Sequence, residues 1–132
     1  MKKMIETLSS ANLPAPRFRY SPLVKAGPNY QTAGMIALDK TSGQLEPGGA
    51  GPQTVKILEN LLAALPDFGL SLDDMVSARI FTTEFDNFPA INAAWESVFK
   101  AEGHLPARTA VGVTALPLHA AVEMEFTFYK ES

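Results

Sequence analysis

The sequence contains no cysteine, and this absence removes several classes of chemistry. Without a thiol, the chain cannot form a disulfide scaffold, a thiolate zinc site or an iron–sulfur site, and it cannot use a cysteine nucleophile. Basic residues are not in excess either, because 11 Lys and Arg residues are set against 14 Asp and Glu residues. The resulting net charge of -3 gives the molecule as a whole no electrostatic attraction to nucleic acid.

Long apolar runs are also missing from the sequence. No stretch approaches the ~18 uninterrupted apolar residues that a membrane-spanning helix requires. The N-terminal segment is too polar to match the apolar core of a signal peptide. We therefore expect a soluble, cytoplasmic protein that has no membrane partner.

The composition favours a single folded domain over residues 1–132. Hydrophobic residues make up 46% of the chain and charged residues 19%, which is enough apolar side chain to offset the entropy lost on folding. A length of 132 residues lies within the usual range for one domain.

The spacing of apolar residues predicts two helices. After Pro52, which suits the first position of a helix, apolar residues recur at helical spacing until the pattern ends near Pro66. A second helix is predicted from about Phe88 to Glu102, with Gly103 as its end.

Five further stretches have the composition and length of β-strands. They lie at residues 17–25, 30–38, 75–83, 109–114 and 122–129, and the first is expected to be irregular because it contains Pro22. The order strand, strand, helix, strand, helix, strand, strand implies an α+β fold in which both helices cover one face of a mixed sheet.

The last predicted strand alternates strictly between apolar and polar side chains. Because successive side chains of a strand point to opposite faces, its apolar residues should pack on the helices. These residues are Val122, Met124, Phe126 and Phe128. The other face, which carries Glu123 and Glu125, is then left to solvent or to another subunit.

Arg108 and Glu123 are the strongest candidates for a chemical role. Arg108 stands at the start of a predicted strand, where a guanidinium can bind a carboxylate through two parallel hydrogen bonds, although a solvated surface arginine is the simpler interpretation. Glu123 and Glu125 emerge on the same face, and paired carboxylates can divide acid and base roles. A polar sheet face is the ordinary alternative for this pair.

Other polar motifs give weaker signals. The Gly48–Gly51 loop precedes a helix but lacks the Gly-Lys-Ser/Thr ending of a phosphate-binding loop. His104 and His119 are isolated, with no second ligand at metal spacing, so no metal site is predicted. The segment Arg17–Tyr20 alternates basic and aromatic residues, a pattern that also occurs in nucleic-acid-binding proteins. Four such residues in an acidic chain are weak evidence for nucleic-acid binding. We expect the Tyr20 hydroxyl to line a pocket instead.

Several of these motifs occur together in one known family. They are Phe88-Pro-Ala-Ile-Asn-Ala-Ala-Trp-Glu-Ser-Val-Phe99, Leu105-Pro-Ala-Arg-Thr109, Leu116-Pro117 and Val122-Glu-Met-Glu125. With these motifs and the order of its elements, the chain resembles the Rid family of reactive-intermediate deaminases, also called YjgF-like proteins. The resemblance extends over nearly the whole length.

The resemblance implies a fold similar to chorismate mutase, assembled as a homotrimer whose sheets form a central barrel and whose sites lie in clefts between neighbouring subunits. It implies hydrolysis of imines or enamines of 2-oxo acids, such as 2-aminoacrylate, of the 2-iminobutanoate/2-iminopropanoate deaminase type and without a metal or an organic cofactor. By resemblance, Arg108 would hold the carboxylate of a small substrate, Glu123 would position or activate water, and Tyr20 and Asn92 would line the cleft.

The sequence departs from the best-characterised branch of that family at the site. Ala33-Gly34-Met35 stands where that branch has Ser-Gly-Gln, so the substrate-facing position Ala33 has no hydroxyl, and Ala110 replaces a cysteine. Retained Arg108 and Glu123 suggest that carboxylate binding persists while substrate choice or activity has changed.

Two alternatives to a general imine deaminase therefore stay open. One is a non-catalytic trimer that binds a small carboxylate, and the other is a deaminase dedicated to one pathway compound, such as an aminomuconate-like intermediate. An older family label, ribonuclease and translation inhibitor, is not favoured, because the chain has an acidic balance and no basic stripe or histidine pair.

Overall fold

The computed structural model describes residues 4–131, which form one six-stranded sheet and two α-helices. The strands are β1 (Ile5–Leu8), β2 (Leu23–Ala26), β3 (Asn29–Thr32), β4 (Met75–Thr82), β5 (Ala107–Gly112) and β6 (Val122–Tyr129). The helices are α1 (Ala50–Ala64) and α2 (Phe88–Val98). Short 3₁₀ turns at Leu65–Phe68, Leu72–Asp74, Phe85–Asn87 and Pro117–His119 complete the regular structure.

The strands lie in the order β1-β2-β3-β6-β4-β5. Only β4 and β5 run parallel, and α2 lies in the connection between them, as a parallel pair requires a crossover. The remaining neighbours are antiparallel. The predicted α+β class, a mixed sheet with the two helices on one face, is confirmed.

The core lies between the sheet and the helices, and β6 supplies its centre. Val122, Met124, Phe126 and Phe128 are buried, while the residues between them are only half-buried, so the predicted alternation is confirmed. Burying each large side chain stabilises the fold by about 1.5–3 kcal/mol. The same alternation assigns the side chains of β4 and β5 to one face or the other through the strand register.

The two helices begin or end at different residues than the sequence predicted. Helix α1 begins at Ala50, two residues before Pro52. A proline is tolerated within the first turn because the backbone N–H groups there have no partner inside the helix, so the missing N–H of proline costs no hydrogen bond. Helix α2 ends at Val98 instead of Glu102, because Phe99 turns to an extended backbone and stacks on Trp95. No helix in the described range has the length and apolar content needed to span a membrane.

The N-terminal strands also differ from the prediction. Strand β1 was not predicted, because its four residues show no strong apolar pattern and it is held only through its pairing with β2. The predicted strand at 17–25 is regular only over Leu23–Ala26. The one predicted at 30–38 ends at Thr32, and its chain pairs with β6 again only at Met35.

Candidate functional site

Arg108 lies on β5 beside Ala78 of β4, a register that directs its side chain to the face covered by the helices. Its Nη2 donates a hydrogen bond to Oδ1 of Asn92 on α2, at 2.8 Å. The guanidinium carbon lies 5.4 Å from the ring centroid of Phe88 and 5.2 Å from that of Trp95, both also on α2. We call these four residues the Arg108 cluster.

None of the contacts recorded for the Arg108 guanidinium is anionic. Among the residues that the structure describes, ion pairs join Lys56 to Asp39 and Arg79 to Glu125, and Arg108 takes part in neither. Asn92 uses one of the five N–H groups that a guanidinium offers. An exposed, fully charged guanidinium with free donors is suited to bind a carboxylate from outside the chain.

Glu123 lies on β6 beside Phe81 of β4, on the sheet face opposite the helices, which we call the open face. Its carboxylate packs directly on the Cα of Gly34, where the Cβ of any other residue would collide with it. Partial burial, and secondly the neighbouring charge of Glu125, raise the pKa of Glu123 above its ordinary value. A carboxylate with a raised pKa exchanges protons more readily near neutral pH.

The two glutamates of β6 differ in their partners. Glu125 accepts a hydrogen bond from Arg79 Nη1 at 3.3 Å, and this ion pair gives it a structural role on the open face. Glu123 takes part in neither of the ion pairs found in the described part of the chain. Of the two glutamates, Glu125 is therefore the one engaged by a cation of the chain.

Tyr20 and Ala33 belong to segments that adjoin Gly34, the residue on which this carboxylate packs. The Ala33 N–H donates to the Pro22 carbonyl at 2.9 Å, which ties the segment before Gly34 to the loop that carries Tyr20. Tyr20 and Gly34 both line a small cavity of about 60 Å³. We call Tyr20, Ala33, Gly34 and Glu123 the Glu123 cluster.

Sequence reasoning named Arg108, Asn92, Glu123, Tyr20 and Ala33 as site residues, and the structure sorts them into two groups. Arg108 and Asn92 lie together on the helix side, whereas the Glu123 cluster is built around the open face. Because the sheet separates Arg108 from Glu123, a small substrate cannot touch both side chains of the same chain.

Gly34, Phe88 and Trp95 are site residues whose roles the sequence did not indicate. The sequence identified Phe88 and Trp95 only as members of the family motif that runs from Phe88 to Phe99. Their position next to Arg108 follows from the packing of β5. The Gly34 contact with Glu123 depends on the strand pairing between Met35 and Met124. Neither contact has a local sequence signal.

The weaker sequence motifs are engaged in structural contacts. The amide of Ala50 at the start of α1 donates to Oε1 of Glu84 at 3.2 Å, so a carboxylate of the chain itself occupies the end of the Gly48–Gly51 loop. His104 Nε2 lies 2.7 Å from the Met75 carbonyl oxygen. Within residues 4–131, no group of three or more histidine or acidic side chains is arranged to hold a metal ion.

Comparison with known sequences gives matches over nearly the full length. Residues 10–129 match the family model described as "Endoribonuclease L-PSP". A RutC family protein of Pyrococcus horikoshii is 34% identical over 128 residues, covering 97% of this chain and 100% of that protein. The 2-iminobutanoate/2-iminopropanoate deaminase of Rattus norvegicus is 31% identical over 120 residues, covering 91% of this chain and 86% of the enzyme.

Solved structures match the backbone equally well. RidA from an Antarctic Psychrobacter species has a TM-score of 0.88 at 30% identity, covering 95% of this chain and 99% of that one. The structure of E. coli TdcF with bound serine has a TM-score of 0.87 at 25% identity, covering 96% of this chain and 99% of that one. The backbone similarity therefore extends over the elements that carry both clusters and over the sheet between them.

Proposed function

Because the chain belongs to the Rid family of YjgF-like proteins, whose family model is named endoribonuclease L-PSP, we propose that it is a hydrolytic deaminase of imine and enamine intermediates of 2-oxo acids. The observation that carries the proposal is the state of Arg108, a charged guanidinium fixed by neutral groups. A relative at 31% identity is named as an imine deaminase, and a neighbour in structure holds serine, a small carboxylate.

In the proposed reaction, Arg108 binds the carboxylate of a 2-imino acid and so places the C=N carbon at a fixed distance from the protein. Glu123 accepts a proton from water while the water oxygen bonds to that carbon. Glu123 passes that proton to the nitrogen, which gives a carbinolamine. The carbinolamine hydroxyl then gives its proton to the nitrogen through Glu123 while the C=O bond forms and the C–N bond breaks, and ammonia and the 2-oxo acid leave. An enamine enters the same sequence after it tautomerises to the imine. The chemistry requires neither a metal nor an organic cofactor.

The proposed site is shared between two copies of the chain. Since the sheet separates Arg108 from Glu123 within one chain, we propose that the Arg108 cluster of one subunit faces the Glu123 cluster of its neighbour in a homotrimer. The open face supports this assembly, because it carries exposed Val76 and Val111 and half-buried Phe81, apolar side chains that a neighbouring subunit would cover. We propose small carboxylates and copies of this chain as its partners, and no role for nucleic acid or membranes.

Because Ala33 stands where the best-characterised branch has a serine, the proposed site has one polar side chain fewer. A methyl group at this position cannot donate a hydrogen bond to the substrate, so carboxylate recognition depends more heavily on Arg108. We propose that the protein hydrolyses 2-iminobutanoate and 2-iminopropanoate, with substrate choice set by the cleft between subunits.

The test generates imino acids in solution with an amino-acid oxidase and catalase, and follows their trapping as semicarbazones. We expect wild type to suppress trapping and Arg108→Ala and Glu123→Gln to fail, while Glu125→Gln, the matched change on the same strand, retains activity. If wild type leaves trapping unchanged for small and large side chains, the deaminase proposal is wrong. Retained binding of 2-oxobutanoate would then favour the non-catalytic carboxylate-binding trimer.

A further inference from the structure

We propose that Phe88 and Trp95 are positioning residues, an aromatic clamp that fixes the Arg108 guanidinium for the substrate carboxylate. Both ring centroids lie within 5.4 Å of the guanidinium carbon, a distance at which the negative face of a ring attracts a cation. The inference rests on the proposed function only for the identity of the carboxylate. It assigns to two apolar residues a role that their place in the core does not reveal.

The clamp is built from two stacked aromatic pairs. Phe88 stacks on Phe85 with ring centroids 5.1 Å apart, and Trp95 stacks on Phe99 with centroids 4.1 Å apart. The guanidinium of Arg108 lies against one member of each pair. The outer rings therefore support the two rings that contact the cation.

Helix geometry explains why these positions act together. Residues 88, 92 and 95 recur at helical spacing, so Phe88, Asn92 and Trp95 share one face of α2. This face meets Arg108 with two ring faces and one amide oxygen. The side chain is held through contacts to its plane and to one N–H, which leaves other N–H groups free for a carboxylate.

For binding a carboxylate, neutral partners of the Arg108 guanidinium have an advantage over an acidic partner. An arginine without partners loses side-chain entropy when a ligand orders it, and this loss weakens binding. An aspartate or glutamate beside it would reduce that loss but would also compete with the substrate carboxylate. Ring faces and an amide order the guanidinium and leave its charge uncompensated.

The experiment compares Phe88→Leu with Phe85→Leu, which removes the stacked partner ring that has no recorded contact with the guanidinium. Calorimetric titration with 2-oxobutanoate gives Kd without requiring hydrolysis, and imine hydrolysis gives kcat and KM. Since one exposed cation–π contact accounts for about two- to fivefold in binding, we expect Phe88→Leu to raise Kd and KM by that factor. Because Phe85 only supports Phe88 and does not contact the guanidinium, we expect Phe85→Leu to raise both by clearly less than Phe88→Leu does. We expect kcat to stay within about twofold in both variants because carboxylate binding is uniform through the reaction.

Trp95 provides the rescue arm of the experiment. Trp95→Leu removes the ring face, whereas Trp95→Phe keeps one, so we expect Kd to rise in the first and to be largely restored in the second. Because Trp95 is buried, the thermal unfolding of each variant is measured alongside, and only folded variants are compared.

Equal effects of Phe88→Leu and Phe85→Leu, or a loss of kcat at unchanged KM, would overturn the clamp. So would a wild type that fails to bind 2-oxobutanoate. A wild type that binds 2-oxobutanoate through Arg108 but hydrolyses no imine refutes the proposed function instead. In that case the Kd values alone decide the role of the two rings.

Discussion

The Arg108 cluster and the Glu123 cluster occupy opposite faces of one sheet, and the two charged groups have different neighbours. Arg108 is exposed and held by an amide and two aromatic rings, all of them neutral groups. Glu123 is half-buried beside a second glutamate, so its charge is disfavoured and its pKa is raised. The Arg108 cluster is suited to bind an anion, and the Glu123 cluster is suited to take up and release a proton.

This difference shows how two functions can be placed on one sheet without interfering. A strand directs successive side chains to opposite faces, so the sheet separates the guanidinium from the carboxylate. An ion pair between the two residues within one chain would lower the pKa of Glu123 and occupy Arg108. Separation within the chain preserves both properties.

The largest expected effect comes from disabling one cluster at a time and then mixing the variants. General acid–base groups contribute about 10²–10⁴-fold, so we expect Glu123→Gln to lower kcat by that factor. We expect Arg108→Ala to lower kcat/KM by about 10²-fold, as loss of a charged, bidentate contact does. In trimers co-expressed from equal amounts of both variants, random assembly pairs an intact Arg108 with an intact Glu123 at about one quarter of the interfaces.

Activity near that fraction in the mixed trimers, measured by imine hydrolysis, would establish a shared site. No recovery would show that each site is built within one chain. Mixing Arg108→Ala with wild type in the same ratio provides the control for assembly.

Asn92→Asp tests whether the neutrality of the Arg108 cluster matters. Asn92 Oδ1 lies 2.8 Å from Arg108 Nη2, so a carboxylate there would pair with the guanidinium at nearly the same geometry. Because the new anion competes with the substrate, we expect KM to rise about tenfold with kcat little changed. Asn92→Ala, which removes the hydrogen bond without adding charge, should give a smaller rise, and an unchanged KM in Asn92→Asp would contradict the model of a free guanidinium.

Gly34→Ala tests the packing of the Glu123 cluster. The added methyl would collide with the Glu123 carboxylate and displace it, so we expect kcat to fall about tenfold. The backbone of Gly34 lies outside the left-handed region, so the loss should not come from strain at that residue. Gly103→Ala, where an added Cβ would make only an ordinary contact, serves as the matched control in the same kinetic assay.

The smallest effect concerns stability and pH. The pKa of Glu123 is raised in the folded protein above its ordinary value of 4.5. Between these two pKa values the native state binds more protons than the unfolded state, so the free energy of unfolding falls as the pH rises through this window. Glutamine imitates the protonated form, so Glu123→Gln should be more stable than wild type at pH 7, on the order of 0.5 kcal/mol since solvent screens this half-exposed group. Urea unfolding at pH 7 and pH 4 would show the difference, and a destabilised variant at pH 7 would contradict it.

Much of the fold was predictable because its signals are local. The alternation of Val122 to Tyr129 and the apolar spacing of α1 and α2 gave the layers correctly. The errors lie where tertiary contacts override local pattern. Strand β1, for example, depends on pairing with β2.

The sequence by itself determined the residue types of the site, the α+β order of elements and the family to which the chain belongs. Each of these is written in local spacing and in motifs such as the one around Arg108. Only the tertiary structure decided that Arg108 and Glu123 lie on opposite faces, that Gly34 lies under the carboxylate, and that two rings of α2 contact the guanidinium. The physical reason is that these contacts join residues far apart in the chain, and strand register, which no single segment encodes, brings them together.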